Sequence, residues 1–135
     1  MNNNNLSPEI YRVIDANLNR LKEGIRVVED LQRYLHNNKE LSQKLKHLRH
    51  LAIFEDIDAL LKHRDSINDV LRSSMDDELQ REDLKAIVVA NFKRAQESSR
   101  VLEELFKLHT LKESEKFKHI RYELYDLEKE IIKLF

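Results

Sequence analysis

The sequence predicts an all-α fold: a duplicated helical hairpin forming an antiparallel four-helix bundle, with a short extra helix in its central linker. Three observations carry that expectation. The 135-residue chain holds one glycine and one proline, where average usage would supply about nine and about seven; strands need turns, and turns need those residues. Apolar residues recur at helical spacing through most of the chain. The chain also repeats itself. Residues 14–31 read IDANLNRLKEGIRVVEDL and residues 88–105 read VVANFKRAQESSRVLEEL, with eight of eighteen positions identical at a constant offset of 74. A second echo follows, KLKHLR at 44–49 returning as KFKHIR at 116–121, now at an offset of 72. A repeat of this length sets the architecture before any local motif is read.

The elements follow in order. Residues 1–7 form a low-complexity, asparagine-rich start expected to be disordered. Ser7-Pro8-Glu9 is a helix entry: a capping hydroxyl, proline at the first helical position, then an acid facing the helix dipole. Val13, Leu18, Leu21, Ile25, Val28, Leu31 and Leu35 keep the helical period to about His36. Asn37-Asn38 breaks it and can cap a second helix, which Leu41, Leu45, Leu48, Leu51, Ile57, Leu60 and Leu61 carry to about Lys62, closing a first hairpin over residues 8–62. Residues 63–82 are the one weakly periodic stretch, a linker with a short helix expected around Ile67 to Leu71 followed by Ser73-Ser74-Met75-Asp76-Asp77. The second hairpin, 83–135, comprises a helix to about His109 and a last helix opened by the capping box Thr110-x-x-Glu113 and ending at Phe135. One domain of residues 1–135 is expected.

Composition excludes several classes of function. Charged residues make up 36% of the chain with a net charge of −1, so there is no net basic footprint for nucleic acid. Zero cysteine rules out disulfides and thiolate metal sites. No apolar run approaches the roughly 18 residues of a membrane span, and the start lacks a signal-peptide core. The expectation is a cytoplasmic protein. No histidine has a glutamate three residues before it, so a di-iron bundle is out. His47 and His50 lie one turn apart, with His119 repeating His47, but no third ligand accompanies them. Ser98-Ser99 lies within a helix, without the elbow of a nucleophilic serine.

The repeated residues include polar ones that a core alone would not ask for. On a helical wheel Asn17 falls within the apolar arc of the first helix and Arg20 on its edge; Glu23 and Asp30 lie further round, and Arg26 points nearly opposite Asn17. The repeat gives Asn91, Arg94, Glu97, Arg100 and Glu104 the same angles on the later helix. Buried polar groups need partners. Asn17, Arg20, Asn91 and Arg94 either lock two homologous helices in register or converge on a phosphorylated ligand, whose oxygens suit guanidinium forks. Where the copies disagree is equally informative. Asp15 becomes Val89, Asn19 becomes Lys93, and Gly24 becomes Ser98. Gly24 marks either a close helix contact or room for a ligand. Asp15 is either a solvated acid or a metal-binding or proton-accepting carboxylate.

The string Asp15-Ala16-Asn17-Leu18-Asn19-Arg20, followed by Glu23-Gly24-Ile25-Arg26-Val27-Val28-Glu29-Asp30, resembles the atypical hydroxymethylpyrimidine-phosphate kinase family of thiamine biosynthesis. That helical domain occurs alone or fused ahead of thiamine-phosphate synthase. Ala90-Asn91-x-x-Arg94-x-x-Glu97-x-x-Arg100-Val101-Leu102-Glu103-Glu104 is similar to the family's second signature, and the resemblance covers residues 11–123. It implies ATP-dependent phosphorylation of the pyrimidine monophosphate to its diphosphate, with Mg²⁺ and ATP. A non-catalytic helical module that binds thiamine-phosphate synthase, oligomerises or senses a phosphate ligand is the alternative. The family's central segment pairs Arg-Asp with a later Asp-Val-Gly; here Arg64-Asp65 and Asp69-Val70 are present, but Leu71 replaces the glycine.

A single glycine excludes a Walker loop or a kinase glycine loop. Phosphoryl transfer would therefore rely on arginines, helix N-termini and a carboxylate-held Mg²⁺. Arg20, Arg26, Arg94 and Arg100, with Asn17, Asn19 and Asn91, are the candidate phosphate and substrate ligands. Asp15 and Glu23 are the candidate catalytic carboxylates, with Asp15 for Mg²⁺. Arg26 and Arg100 would reach a shared site only in an offset bundle or a homodimer.

Overall fold

The structure, a computed structural model, describes residues 6–74 and 79–135. The polar start at residues 1–5 and linker residues 75–78 lie outside it, and with them the expectations made for Met75 to Asp77. Five α-helices are described: α1 (Pro8–Asp30), α2 (Lys39–Leu51), α3 (Ile57–His63), α4 (Leu84–Phe106) and α5 (Leu111–Ile132). Helix α1 packs on α4, α4 on α5, α5 on α2 and α2 on α1, closing the ring of a four-helix bundle, while α3 lies against α1. Among the described residues there is no strand, and no helix is long and apolar enough to cross a membrane.

The caps match the sequence chemistry. Ser7 Oγ accepts from the Ile10 N–H at 3.2 Å, Asn38 Oδ1 from Leu41 at 3.0 Å, and Thr110 Oγ1 from Glu113 at 3.2 Å. Within the stretch expected to be disordered, Leu6 is buried in the core next to the Ser7 cap. Helix α1 runs on through a single π-helical turn, Leu31–Leu35, in which the buried Gln32 contacts His36. Asn37 then takes a left-handed conformation (φ 52°) that ends the segment.

Two expectations about helices fail for identifiable reasons. The second helix does not continue to Lys62 but breaks at 52–56. Asp56 caps the new helix α3 through the Ala59 N–H at 3.1 Å, and Phe54 turns inward among Tyr11, Phe106 and His109. Burial of that ring and the aspartate cap outweigh propensity for one long helix. The extra helix is therefore α3, and residues 67–71 form turns instead. There Asp65 accepts from the Asn68 N–H at 3.2 Å and Asp69 from the Leu71 N–H at 2.9 Å, which draws those donors from a helical ladder. Ile67, Val70 and Leu71 stay exposed, so no apolar face holds a helix here.

The helix directions follow from contacts. Tyr11 near the start of α1 and Phe106 at the end of α4 both meet Phe54, whereas Gly24, in the second half of α1, faces Asn91 and Ala95 in the first half of α4. Helices α1 and α4 are thus antiparallel, and a pseudo-twofold axis relates the two hairpins. A Cβ built on Gly24 would lie 2.9 Å from the Asn91 carbonyl oxygen and 3.4 Å from Ala95 Cβ. Close backbone approach is the reason for the single glycine.

Candidate functional site

The polar lock exists, but in residues other than those singled out. Asn17 Nδ2 donates to the Val13 carbonyl at 2.9 Å and Asn91 Nδ2 to the Ile87 carbonyl at 2.8 Å, each within its own helix. Arg20 and Arg94 are exposed and have no hydrogen bond or ion pair among the described residues. The lock is the repeated Glu29 and Glu103. Arg49 binds Glu29 with Nε to Oε1 at 2.7 Å and a second nitrogen to Oε2 at 3.2 Å. Arg121 binds Glu103 at 2.8 Å. Both echoes are needed to see this, since the acids come from the 74-residue offset and the arginines from the 72-residue one. Each hairpin is tied by the same nearly buried pair.

A groove of about 470 Å³ lies between the outer side of α1 and the linker after α3. Asp15, Asn17, Asn19 and Arg20 line it with Glu9, Arg12, Arg64, Asp65 and Asp69. Arg64 reaches back from the linker to chelate Asp15, Nε to Oδ2 at 2.7 Å and a second nitrogen to Oδ1 at 2.6 Å. That hydrogen bonding pushes the guanidinium's pKa up. Asn19 Nδ2 donates to the same carboxylate at 3.4 Å. Asp15 is 5% exposed, so it is a buried, saturated carboxylate. Arg12 donates to the Asp65 carbonyl at 2.9 Å and so also holds the linker. The Asp65 carboxyl is itself held below its usual range by hydrogen bonds from the Asn68 side chain and N–H.

The other expected residues lie elsewhere. Glu23 is exposed, outside the groove, and has no partner among the described residues. Arg26 pairs with Asp30 at 3.2 Å on the surface. Arg100 pairs with Glu104 at 3.2 Å and Glu103 at 3.6 Å. Asn91 sits at the seam with Gly24. Arg12 joins the groove although no repeat identity marked it. Its signal was again a disagreement, since position 86 carries alanine in the second copy. With Val89 in place of Asp15 as well, the charged set is present once in the chain. Leu71, where the family's central segment has glycine, has no left-handed backbone: Asn37 alone among the described non-glycine residues has positive φ.

Comparison with known proteins places the chain in a family. A model of the ThiD2 family matches residues 12–130. The chain is 38% identical over 120 residues to a thiamine-phosphate synthase of Nostoc sp. (strain PCC 7120), covering 88% of this chain and 34% of that protein. It is 40% identical over 120 residues to the thiamine-phosphate synthase of Synechocystis sp. (strain PCC 6803), covering 88% and 35%. For the thiamine-phosphate synthase of Prochlorococcus marinus subsp. pastoris the identity is 35% over 135 residues, covering 97% and 38%. The chain thus spans about a third of the length of the curated relatives it matches. No solved structure matches. On the extent of the family match, from the start of α1 almost to the end of α5, the chain belongs to the ThiD2 family.

Proposed function

We propose that this chain acts in thiamine biosynthesis by phosphorylating hydroxymethylpyrimidine phosphate to its diphosphate, with the Mg²⁺–ATP complex as donor. The observation that carries the reading is the groove, lined by the guanidiniums of Arg12, Arg20 and Arg64, whereas the second copy carries Ala86 and Val89 at the positions of Arg12 and Asp15. An oxygen of the pyrimidine's monophosphate attacks the γ-phosphorus of ATP; the new P–O bond forms, the bond to the β-phosphate oxygen breaks, and ADP leaves. The second ionisation of a phosphate monoester lies near pH 6, so this nucleophile needs no protein base at neutral pH. Catalysis then reduces to positioning and charge neutralisation, which suits arginines beside a carboxylate already saturated.

A resident metal does not fit these residues. Both Asp15 oxygens are engaged by Arg64, and the described residues hold no group of three or more histidine, cysteine or carboxylate side chains suited to an ion. In this proposal Mg²⁺ arrives on the nucleotide's phosphates, as part of the substrate. Asp15 serves as the rest position of Arg64 and Asn19 as its orienter. Arg20, which has no partner within its own chain among the described residues, contacts the incoming phosphate at the edge of the groove.

The saturation of Asp15 also favours a second reading, a module that binds a phosphorylated pyrimidine, or the synthase its relatives are named for, without turnover. Titration calorimetry tests the site common to both ligand readings. Hydroxymethylpyrimidine phosphate should bind, the unphosphorylated alcohol should bind at least tenfold more weakly, and Arg20→Ala should weaken the phosphate ligand about tenfold, the loss of one charge-assisted contact of ~1.5 kcal/mol. Undiminished affinity in both Arg20→Ala and Arg64→Ala would remove the groove as the site.

A further inference from the structure

Four of the eight repeat identities have no role in the fold as described. The glutamates 29 and 103 tie the hairpins, Asn17 and Asn91 bond within their helices, Arg26 and Arg100 make surface pairs, and Leu31 and Leu105 pack against the core. That leaves Ala16, Arg20, Glu23 and Val27, each with its copy 74 residues on. Their spacing of four, three and four residues places them on one helix face. Both Arg–Glu sets are exposed and unpartnered among the described residues, and Val27 and Val101 remain 38% and 36% exposed.

The pseudo-twofold axis gives this face its geometry. With Gly24 over Asn91 and Ala95 and the copies 74 apart, the axis runs between α1 and α4, level with Leu21 and Lys22 on the one and with Ala95 and Gln96 on the other. That level is midway between Arg20 and Glu23 along α1, and midway between Arg94 and Glu97 along α4. An antiparallel copy of either helix, laid across the same point, sets each arginine opposite a glutamate and each small alanine opposite a valine. The face is therefore complementary to itself in charge and in size. Self-complementarity about a twofold is what an isologous contact requires, and the four-three-four spacing of the set is that of a packed helix seam.

We propose that a second copy of this chain docks on the outer face of α1 and α4, with Arg20 and Arg94 paired to Glu23 and Glu97 across the dimer twofold. Ala16 and Arg20 also border the groove, so the second copy closes that side of it. The proposal does not depend on the reaction, because it is read by mass.

The test is sedimentation equilibrium of the full chain and of two charge-reversed variants, with circular dichroism confirming that each remains helical. The wild type should have twice the monomer mass. Arg20→Glu/Arg94→Glu and Glu23→Arg/Glu97→Arg should each be monomeric, and their equimolar mixture should recover the dimer mass. A wild type that stays monomeric up to about 100 µM, where contacts weaker than that are negligible, overturns the proposal. So does a wild-type dimer that persists undiminished in both variants, which would put the contact on another face.

Discussion

The Glu29–Arg49 pair offers a quantitative test of how the duplicated frame is held. The glutamate side chain is 2% exposed and the arginine 18%, with two hydrogen bonds between them. Arg49→Met keeps the apolar stem but leaves a buried carboxylate without its partner, at a cost of about 3–5 kcal/mol. Glu29→Gln leaves an arginine that can turn toward water, at about 1–3 kcal/mol. The double variant Glu29→Gln/Arg49→Met removes both charges and should be no less stable than Arg49→Met alone, giving a coupling energy of about 2 kcal/mol. Urea denaturation monitored by circular dichroism measures all four proteins. For a chain of this size the arginine substitution should lower Tm by roughly 10–20 °C. The Arg121→Met and Glu103→Gln set should behave alike, because the pseudo-symmetric pair occupies the same place in the other hairpin. Additive single losses, or a loss below about 1 kcal/mol for Arg49→Met, would mean that the pair behaves as a solvated surface bridge, and the reasoning would fail.

Gly24→Ala should destabilise the chain by about 1–3 kcal/mol even though alanine gains about 1 kcal/mol of helix propensity, since its methyl would meet the Asn91 carbonyl at 2.9 Å; a rise in Tm would deny the close crossing. Asp65 should titrate below the usual aspartate range, because the Asn68 side chain and N–H both hydrogen-bond its carboxylate. The folded pKa is depressed, so its support for the 65–68 turn is present at neutral pH and lost as pH falls through that lowered value; a side-chain carboxyl NMR titration with an ordinary or raised midpoint would contradict it. Phe54→Ala, which empties the aromatic cluster closing the α1 and α4 ends, should cost about 3–5 kcal/mol by chemical denaturation, whereas a loss under 1 kcal/mol would show that the 52–56 break does not depend on that ring.

The helices were legible because their signals are local: hydroxyl and amide caps, heptad-like apolar spacing, and the near absence of glycine and proline. The break at 52–56 was not, because it depends on Phe54 meeting Tyr11 and Phe106, residues far away in sequence. Nor do Ile67, Val70 and Leu71 form a helix, since apolar spacing predicts one only where a core lies within reach. The repeat showed that polar residues mattered but not which ones paired. Arg49 and Arg121 close the repeated KLKHLR and KFKHIR strings, and only the fold sets them against Glu29 and Glu103. Asp15 and Asn19 could be found as disagreements between copies. Arg64 could not be assigned to them from spacing, because it returns from 49 residues away on an irregular loop.

The proposed function requires that the Arg12–Arg20–Arg64 groove receive a pyrimidine phosphate for phosphoryl transfer. Its most direct test is a turnover assay with the folded full chain, Mg²⁺–ATP and hydroxymethylpyrimidine phosphate, resolving the diphosphate and ADP by chromatography. The two products should form in equal amounts, with kcat/KM for the pyrimidine reduced at least tenfold in Arg20→Ala at unchanged fold. Binding of the pyrimidine phosphate with no diphosphate above background would contradict the kinase claim and leave the groove as the binding site of a non-catalytic module.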